Sequence, residues 1–273
     1  MRATRVLLEG EVSGFERWAV EWPVLVALLA TVTCAGLAIL SYVLAGPLSV
    51  LFGRGARARH LAEALSRCLA TTPVIVLLWR VGWLEAAGLA RLGGWRSWLP
   101  VLLPLVYMAL VAVYVYTGDL RADVPDRRLA GAVTLDMLAV GLFEETVFRG
   151  VVLHALLLGW GRSRWGIAGS LTLSSLLFGL LHMLNLLAGK AIREALEQGL
   201  SAFVSGLCYG VLVLWAGSIW PAVALHGAVN AAVNVKIASI ANYKEPAGAN
   251  ARMALLTLPV LGYVLTLLWA VAV

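Results

Sequence analysis

Three charged residues, Glu144, Glu145 and Arg149, interrupt an apolar run that extends from about Leu129 to Leu158. An ionisable side chain near the centre of a bilayer costs roughly 2.5–3.5 kcal/mol on insertion scales, so such residues normally face a bundle interior and have a partner. On an α-helix, Glu145 and Arg149 lie four positions apart on one face. Glu144 lies about 140° around the helix from Arg149. We therefore predict a supporting ion pair between Glu145 and Arg149, and a Glu144 that is free for chemistry.

Two further apolar segments carry polar side chains. The stretch "FGLLHMLN" places His182 at the end of one segment, and "HGAVNAAVN" places His226, Asn230 and Asn234 on one face of another. A single membrane histidine can also be a packing residue, and a stripe of asparagines can also form hydrogen bonds between helices. We expect Gly227 to leave open space beside His226, which favours a functional role for that histidine.

These residues have the chemistry of amide hydrolysis. Glu144 can take a proton from water as a general base, and a neighbouring histidine can share that role. Histidine and asparagine N–H groups can stabilise a tetrahedral oxyanion, so no serine or cysteine nucleophile is needed. Glu144, His182 and His226 could also be three ligands of a zinc ion that holds a water molecule, although their spacing does not require a metal.

Other intramembrane hydrolase motifs are missing from the sequence. It contains no HExxH, GxSG or GxGD motif, which argues against a zincin-like, a rhomboid-like and a presenilin-like site. Asp136 is the only aspartate inside a predicted span, so an aspartyl dyad cannot form.

The composition predicts an all-α polytopic membrane protein that forms a single domain over residues 1–273. The chain is 61% hydrophobic and 13% charged, with a mean hydropathy of +0.88, whereas soluble domains carry about 25% charged residues. The formal charge of +6 therefore indicates loops beside anionic lipid headgroups and not a nucleic-acid partner. The three cysteines show no paired spacing and are expected to be small buried residues.

Apolar windows predict about eight transmembrane helices. They cover residues 24–44, 62–79, 98–117, 129–158, 167–187, 200–215, 219–235 and 253–273. Residues 1–18 are predicted to be an interfacial segment and residues 80–97 an amphipathic surface segment. The chemistry-bearing helices lie in residues 129–235.

Basic residues suggest an orientation and an origin. The loop 53–60 is the densest basic loop, so the positive-inside rule places it in the cytoplasm. Arginine outnumbers lysine 18 to 3, and alanine and glycine are abundant, which is typical of a GC-rich bacterial genome. We therefore expect a multi-pass protein of a bacterial inner membrane.

The motifs "EETVFR", "FGLLH" and "HGAVN" have the forms EExxxR, FxxxH and HxxxN. In this order, over residues 135–235, they resemble the CAAX-protease and bacteriocin-processing (CPBP) family of intramembrane glutamic endopeptidases. That family includes the type II CAAX prenyl endopeptidases.

The resemblance implies a role for each motif residue. Glu144 would be the catalytic base, assisted by His182, and His226 with Asn230 would form the oxyanion site. Glu145 and Arg149 would support the architecture. The resemblance also implies a mechanism without a metal or another cofactor.

The implied substrate is a membrane-anchored or lipidated protein or peptide that is cut near its C-terminus. A prenylated CAAX protein, a sorting tail and a bacteriocin precursor all remain open. Two other classes of function also remain open. One is a proton-coupled transporter that uses the buried glutamate and histidines as a relay, although no inverted repeat is evident. The other is a non-catalytic regulatory or scaffold homologue.

Overall fold

The computed structural model describes residues 14–99, 101–102, 106, 127–187, 189–239 and 262. This part of the chain contains α-helices, one π-helical segment and short 3-10 turns, and no strand. In chain order, the α-helices are α1 (Gly14–Glu21), α2 (Pro23–Leu48), α3 (Ala56–Arg80), α4 (Arg127–Glu145), α5 (His154–Trp160), α6 (Arg164–Leu181), α7 (Ile192–Ala216) and α8 (Trp220–Ser239). The all-α prediction is confirmed.

Local sequence explains several helix ends. Pro23 opens α2 at a position where its missing N–H costs nothing. Ser163 caps α6, because its side chain accepts a hydrogen bond of 3.0 Å from the Gly166 N–H. Helix α7 ends at Gly217, whose φ of +61° places it in the left-handed region that closes many helices.

Four helical stretches within the described residues are long and apolar enough to cross a membrane. They are Pro23–Phe52, Ala56–Arg80, Arg164–Leu186 and Ile192–Ala216. Large apolar side chains such as Val32 and Val50 are exposed on these helices, as expected for surfaces in contact with lipid. The chain is an integral membrane protein.

The predicted count of about eight spans is not confirmed. The predicted fourth and seventh spans coincide with helices, but those helices are not among the four apolar stretches. The predicted third and eighth spans lie largely outside the described residues, and so does most of the predicted interfacial segment 1–18.

The segment after α3 is the one predicted to be an amphipathic surface segment, 80–97. Turns lie within residues 81–88, and residues 89–94 are irregular; Trp83 and Ala87 are each only 3% exposed. The Ile219 N–H donates a hydrogen bond of 3.1 Å to the Gly88 carbonyl, and the Trp220 indole donates one of 3.0 Å to Leu89. One part of the segment is therefore packed against the bundle and satisfies polar groups at the start of α8, whereas Glu85 and Leu92 are exposed.

Helix α4 lies at the centre of the described fold. It packs against α3 on one side and α8 on the other, while α6 packs against α7. Beyond Glu145 it continues as a π-helical segment, Thr146–Leu153, and then as α5. All eight residues of the π-helical segment are buried, because helices α2, α3, α6 and α7 all contact it.

Candidate active site

The π-helical segment begins directly after the two glutamates. A π-helix is rare and occurs mostly as single-turn bulges that are frequent at functional sites. Here the segment runs for eight residues and contains Arg149. Its position brings the charges of the fourth predicted span into the most crowded part of the bundle.

The predicted ion pair between Glu145 and Arg149 is present. Arg149 Nη1 donates a hydrogen bond of 3.2 Å to Glu145 Oε1, and Arg149 Nε lies 3.1 Å from Glu145 Oε2. Arg149 Nη2 also donates to the Gly206 carbonyl at 2.9 Å. The guanidinium lies 4.9 Å from the ring centroid of Phe178 and 5.5 Å from that of Tyr209. The arginine thus has a carboxylate, a carbonyl and two aromatic faces as partners, which compensates its burial.

His226 contacts both glutamates. Its Nδ1 lies 2.8 Å from Glu145 Oε1, and its Nε2 lies 3.7 Å from Glu144 Oε2. The first distance is a hydrogen bond in which Nδ1–H donates to the carboxylate. The second is too long for a hydrogen bond. The ring stacks on Tyr209 with 5.0 Å between centroids and 21° between planes. The imidazole is therefore fixed on one edge and directed at Glu144 on the other.

Glu144 differs from Glu145 in both exposure and bonding. The Glu144 side chain is 15% exposed, whereas that of Glu145 is 0% exposed. Glu144 Oε2 is buried and has no hydrogen-bond partner among the described residues. Glu145 Oε2 also lacks a hydrogen bond, but it lies 3.1 Å from Arg149 Nε in the ion pair. Glu144 is therefore the carboxylate with an oxygen outside the ion pair, which a water molecule or a substrate can use.

His182 begins the 3-10 turn His182–Leu186 that follows α6. Its Nδ1 lies 2.9 Å from the Phe178 carbonyl oxygen, and since a carbonyl only accepts, Nδ1–H is the donor. In the neutral ring this leaves Nε2 as an acceptor. Among the described residues, no hydrogen bond joins His182 to Glu144.

Phe178 connects the separate parts of the site. Its ring is 1% exposed and meets His182 at 4.9 Å and His226 at 5.9 Å, edge to face in both cases. The same ring lies under the Arg149 guanidinium. The phenylalanine of the FxxxH motif therefore packs against both histidines and the ion pair.

Asn230 lies one turn after His226 on α8. It is half-buried, and its backbone carbonyl accepts a hydrogen bond of 2.9 Å from Asn234 Nδ2. Asn234 thus bonds within its own helix in this structure. Asn230 remains a candidate donor to a substrate because it shares the helix face of His226.

Two glycines allow α8 to approach α4 closely. The prediction of open space beside His226 is therefore wrong. A Cβ atom on Gly227 would lie 2.9 Å from Leu138 Cα, and one on Gly141 would lie 3.0 Å from the Gly227 nitrogen. Helix α4 therefore fills the space at Gly227. This close approach places His226 within reach of both glutamates.

Zinc ligation by this site would have to use the outer ring nitrogens. Nδ1 of His182 and Nδ1 of His226 both hold protein oxygens, so only their Nε2 atoms are left for a metal. A different three-residue group in the described chain has ligand atoms within 4.8 Å of one another, at His60, Glu63 and Asp136.

Residues 127–232 match the family model described as type II CAAX prenyl endopeptidase, Rce1-like. This segment of the chain is similar to that family. It contains all of α4 to α7, most of α8 and every predicted site residue. The match supports the predicted relationship to the CAAX-type intramembrane endopeptidases and indicates a protease at the level of the family. No curated protein and no solved structure matches the chain.

The roles of two aromatic residues at the site, and of one buried arginine elsewhere in the bundle, were missed by the sequence reasoning. Phe178 is the first residue of the FxxxH motif, but its packing role was not predicted, and nothing in the sequence distinguishes Tyr209 from other aromatic residues in apolar helices. Arg67 did carry a signal, because it is a charge inside the predicted second span. Its Nε is buried with no hydrogen-bond partner among the described residues.

Proposed function

We propose that the chain is an intramembrane endopeptidase that hydrolyses a peptide bond near the membrane-anchored C-terminus of a protein substrate. Glu144 is the general base in this proposal, and His182 assists it. His226 and Asn230 donate to the oxyanion. Glu145 and Arg149 hold the site together.

The contrast between the two neighbouring glutamates carries the proposal. Glu145 is fully buried and binds Arg149 and His226. Water cannot replace either partner without a large loss of free energy. Glu144 keeps an unbonded oxygen at 3.7 Å from His226 Nε2. A water molecule beside those two atoms would contact both a base and an imidazole.

The reaction follows from these positions. Glu144 takes one proton from the water, and the water oxygen forms a bond to the scissile carbonyl carbon. The carbonyl oxygen becomes an oxyanion, which N–H groups of His226 and Asn230 stabilise. For His226 to donate through Nε2 while Nδ1–H donates to Glu145, the ring must be the imidazolium. Glu144 then gives the proton to the amide nitrogen as the C–N bond breaks, releasing an amine and a carboxylic acid.

Glu145 acts on this reaction through His226. A carboxylate that holds the far nitrogen of an imidazole fixes its orientation and stabilises its positive charge, as in the aspartate–histidine pairs of serine proteases. The same carboxylate is neutralised by Arg149, which prevents a second unpaired anion beside Glu144. Glu145 is thus a positioning residue.

The substrate class is proposed from the membrane location and the family description. The site lies among helices that cross the bilayer, so a protein held there by a lipid or by a transmembrane tail would present its bond at the right depth. The family description names prenyl substrates for the family. For this chain we propose a membrane-anchored or lipidated C-terminus in a bacterial inner membrane.

Comparative proteomics of cells that express the wild-type protein or Glu144→Gln tests this function. We expect a small set of membrane proteins to keep longer C-termini in the Glu144→Gln cells. The matched control is Glu194→Gln, which changes an exposed glutamate at the start of α7. Identical C-termini in all three strains, together with normal expression, would reject the endopeptidase and favour the transporter or the scaffold.

A further inference from the structure

A second group of chemistry-bearing side chains lies between α3 and α4, away from Glu144. His60 and Glu63 are one turn apart on α3, and Asp136 faces them from α4. His60 Nδ1 lies 2.9 Å from Asp136 Oδ2 and 3.6 Å from Glu63 Oε2. One ligand atom from each of the three residues lies within 4.8 Å of the others. Asp136 is eight residues before Glu144, or about 12 Å along the helix, so this cluster is a separate site.

An ion pair between His60 and Asp136 leaves part of the cluster unexplained. Asp136 is 1% exposed, and its Oδ1 has no hydrogen-bond partner among the described residues. A second carboxylate, Glu63, approaches the same histidine nitrogen, although one N–H can donate fully to only one oxygen. Arg59 binds the other oxygen of Glu63 at 2.9 Å and leaves Oε2 directed at the cluster. Two carboxylates thus converge on one imidazole nitrogen at a largely buried position.

Two of the separations between the ligand atoms are close to those expected around a small divalent cation. In a tetrahedral site with metal–ligand distances of about 2.1 Å, neighbouring ligand atoms lie about 3.4 Å apart. The observed separations of 2.9 Å and 3.6 Å lie on either side of that value. One ring nitrogen with two carboxylate oxygens is a donor set for zinc or another divalent transition metal, whereas magnesium and calcium favour oxygen alone.

We propose that His60, Glu63 and Asp136 bind one divalent transition-metal ion, with zinc as the best match, which fastens α3 to α4. The ion replaces the proton between His60 Nδ1 and Asp136 Oδ2, and the ring keeps its proton on Nε2. A water molecule completes the four ligands. The metal stabilises the helix that carries Glu144 and takes no part in the hydrolysis.

The test measures zinc binding by the purified full-length protein in detergent. The protein is stripped with a chelator, incubated with zinc chloride, desalted, and measured for bound zinc and for melting temperature. The wild type is expected to hold about one zinc ion per chain and to melt at a higher temperature with zinc than without it. Asp136→Asn, Glu63→Gln and His60→Ala are each expected to lose both effects.

Two controls separate this site from the rest of the molecule. Glu85→Gln changes an exposed glutamate that pairs with Arg91 and should bind zinc like the wild type. Glu144→Gln should also keep the zinc, because Glu144 belongs to the other cluster. If Asp136→Asn does not fold, His60→Ala tests the site instead, because the His60 side chain is partly exposed. The proposal is overturned if the wild type holds no stoichiometric zinc, or if zinc is kept in His60→Ala and lost in Glu144→Gln.

Discussion

Glu145 has two partners on two different helices, and only one of them was predictable. The partner on its own helix, Arg149, follows from a spacing of four residues, which the sequence displays. The partner on α8, His226, depends on how two helices pack and on which face each presents. The contacts of Phe178 and Tyr209 depend on packing in the same way. Pairs within one helix could therefore be predicted, and the assembly of the site could not.

Removing Arg149 should destabilise the protein strongly. Arg149→Ala leaves Glu145 as a buried carboxylate with His226 as its remaining partner, and breaking such a pair typically costs roughly 3–5 kcal/mol. The matched control is Arg193→Ala, which removes the exposed partner of Glu197 and should cost less than about 1 kcal/mol. Thermal melting in detergent gives the comparison. Equal melting temperatures for Arg149→Ala and Arg193→Ala would show that the buried pair is not needed for stability.

Replacing Phe178 tests whether that ring positions both histidines. Phe178→Leu keeps an apolar side chain but removes the aromatic faces against His182, His226 and Arg149. We expect about 1–3 kcal/mol of lost stability and a larger loss of kcat than of substrate affinity, since the reacting groups are displaced. The control is Leu176→Phe on the same helix, where the side chain is exposed. A Phe178→Leu enzyme with the wild-type kcat would remove the positioning role.

At the scale of the elements, the apolar periods predicted the position of most helices, but they did not predict the irregular segments. An ideal period of 3.6 residues predicts an unbroken α-helix through Arg149, whereas the structure has a π-helical segment there. The close contact of Gly88 with the backbone of Ser218 could not be predicted, because nothing in an apolar stretch with glycines indicates which backbone it contacts. The close approach of α4 and α8 could not be predicted either, since a glycine can face open space or contact a neighbouring helix.

The glycine contact between α4 and α8 gives a prediction with an internal control. A Cβ atom on Gly141 would lie 3.0 Å from two backbone atoms, the Gly227 nitrogen and the Val223 oxygen, so α8 must move. Gly141→Ala should cost about 1–3 kcal/mol and reduce cleavage, because His226 moves away from Glu144. Gly131→Ala lies on the same helix with nothing within 4 Å of the new atom. It should be neutral or stabilising by up to about 1 kcal/mol. If both variants melt and cleave alike, the contact does not set the geometry of the site.

At the scale of the whole molecule, composition predicted the class of the fold, and the motifs predicted the segment that matches the family model. The matched residues 127–232 include all three motifs. The number of spans was less readable. Helices α4 and α8 carry the charged and polar residues of the site, so they are less apolar than the four stretches that are able to cross a membrane.

The orientation of the molecule is a prediction that labelling can test. We expect the basic loop 53–60 to face the cytoplasm, because arginines are retained on that side of the membrane. A cysteine at Arg57, in a chain whose three native cysteines are replaced by alanine, should react with a membrane-impermeant maleimide only after the cells are opened. Labelling of intact cells would reverse the orientation and place the metal cluster near the outer surface.

The most direct measurement is the cleavage rate of a membrane-anchored substrate by purified Glu144→Gln in lipid bilayers. The wild type and Glu194→Gln are measured beside it, and melting temperatures confirm that all three proteins are folded. Loss of the general base predicts a rate at least about a hundredfold lower for Glu144→Gln, with Glu194→Gln unchanged. A folded Glu144→Gln protein that cleaves at the wild-type rate would contradict the assignment of Glu144 as the catalytic base.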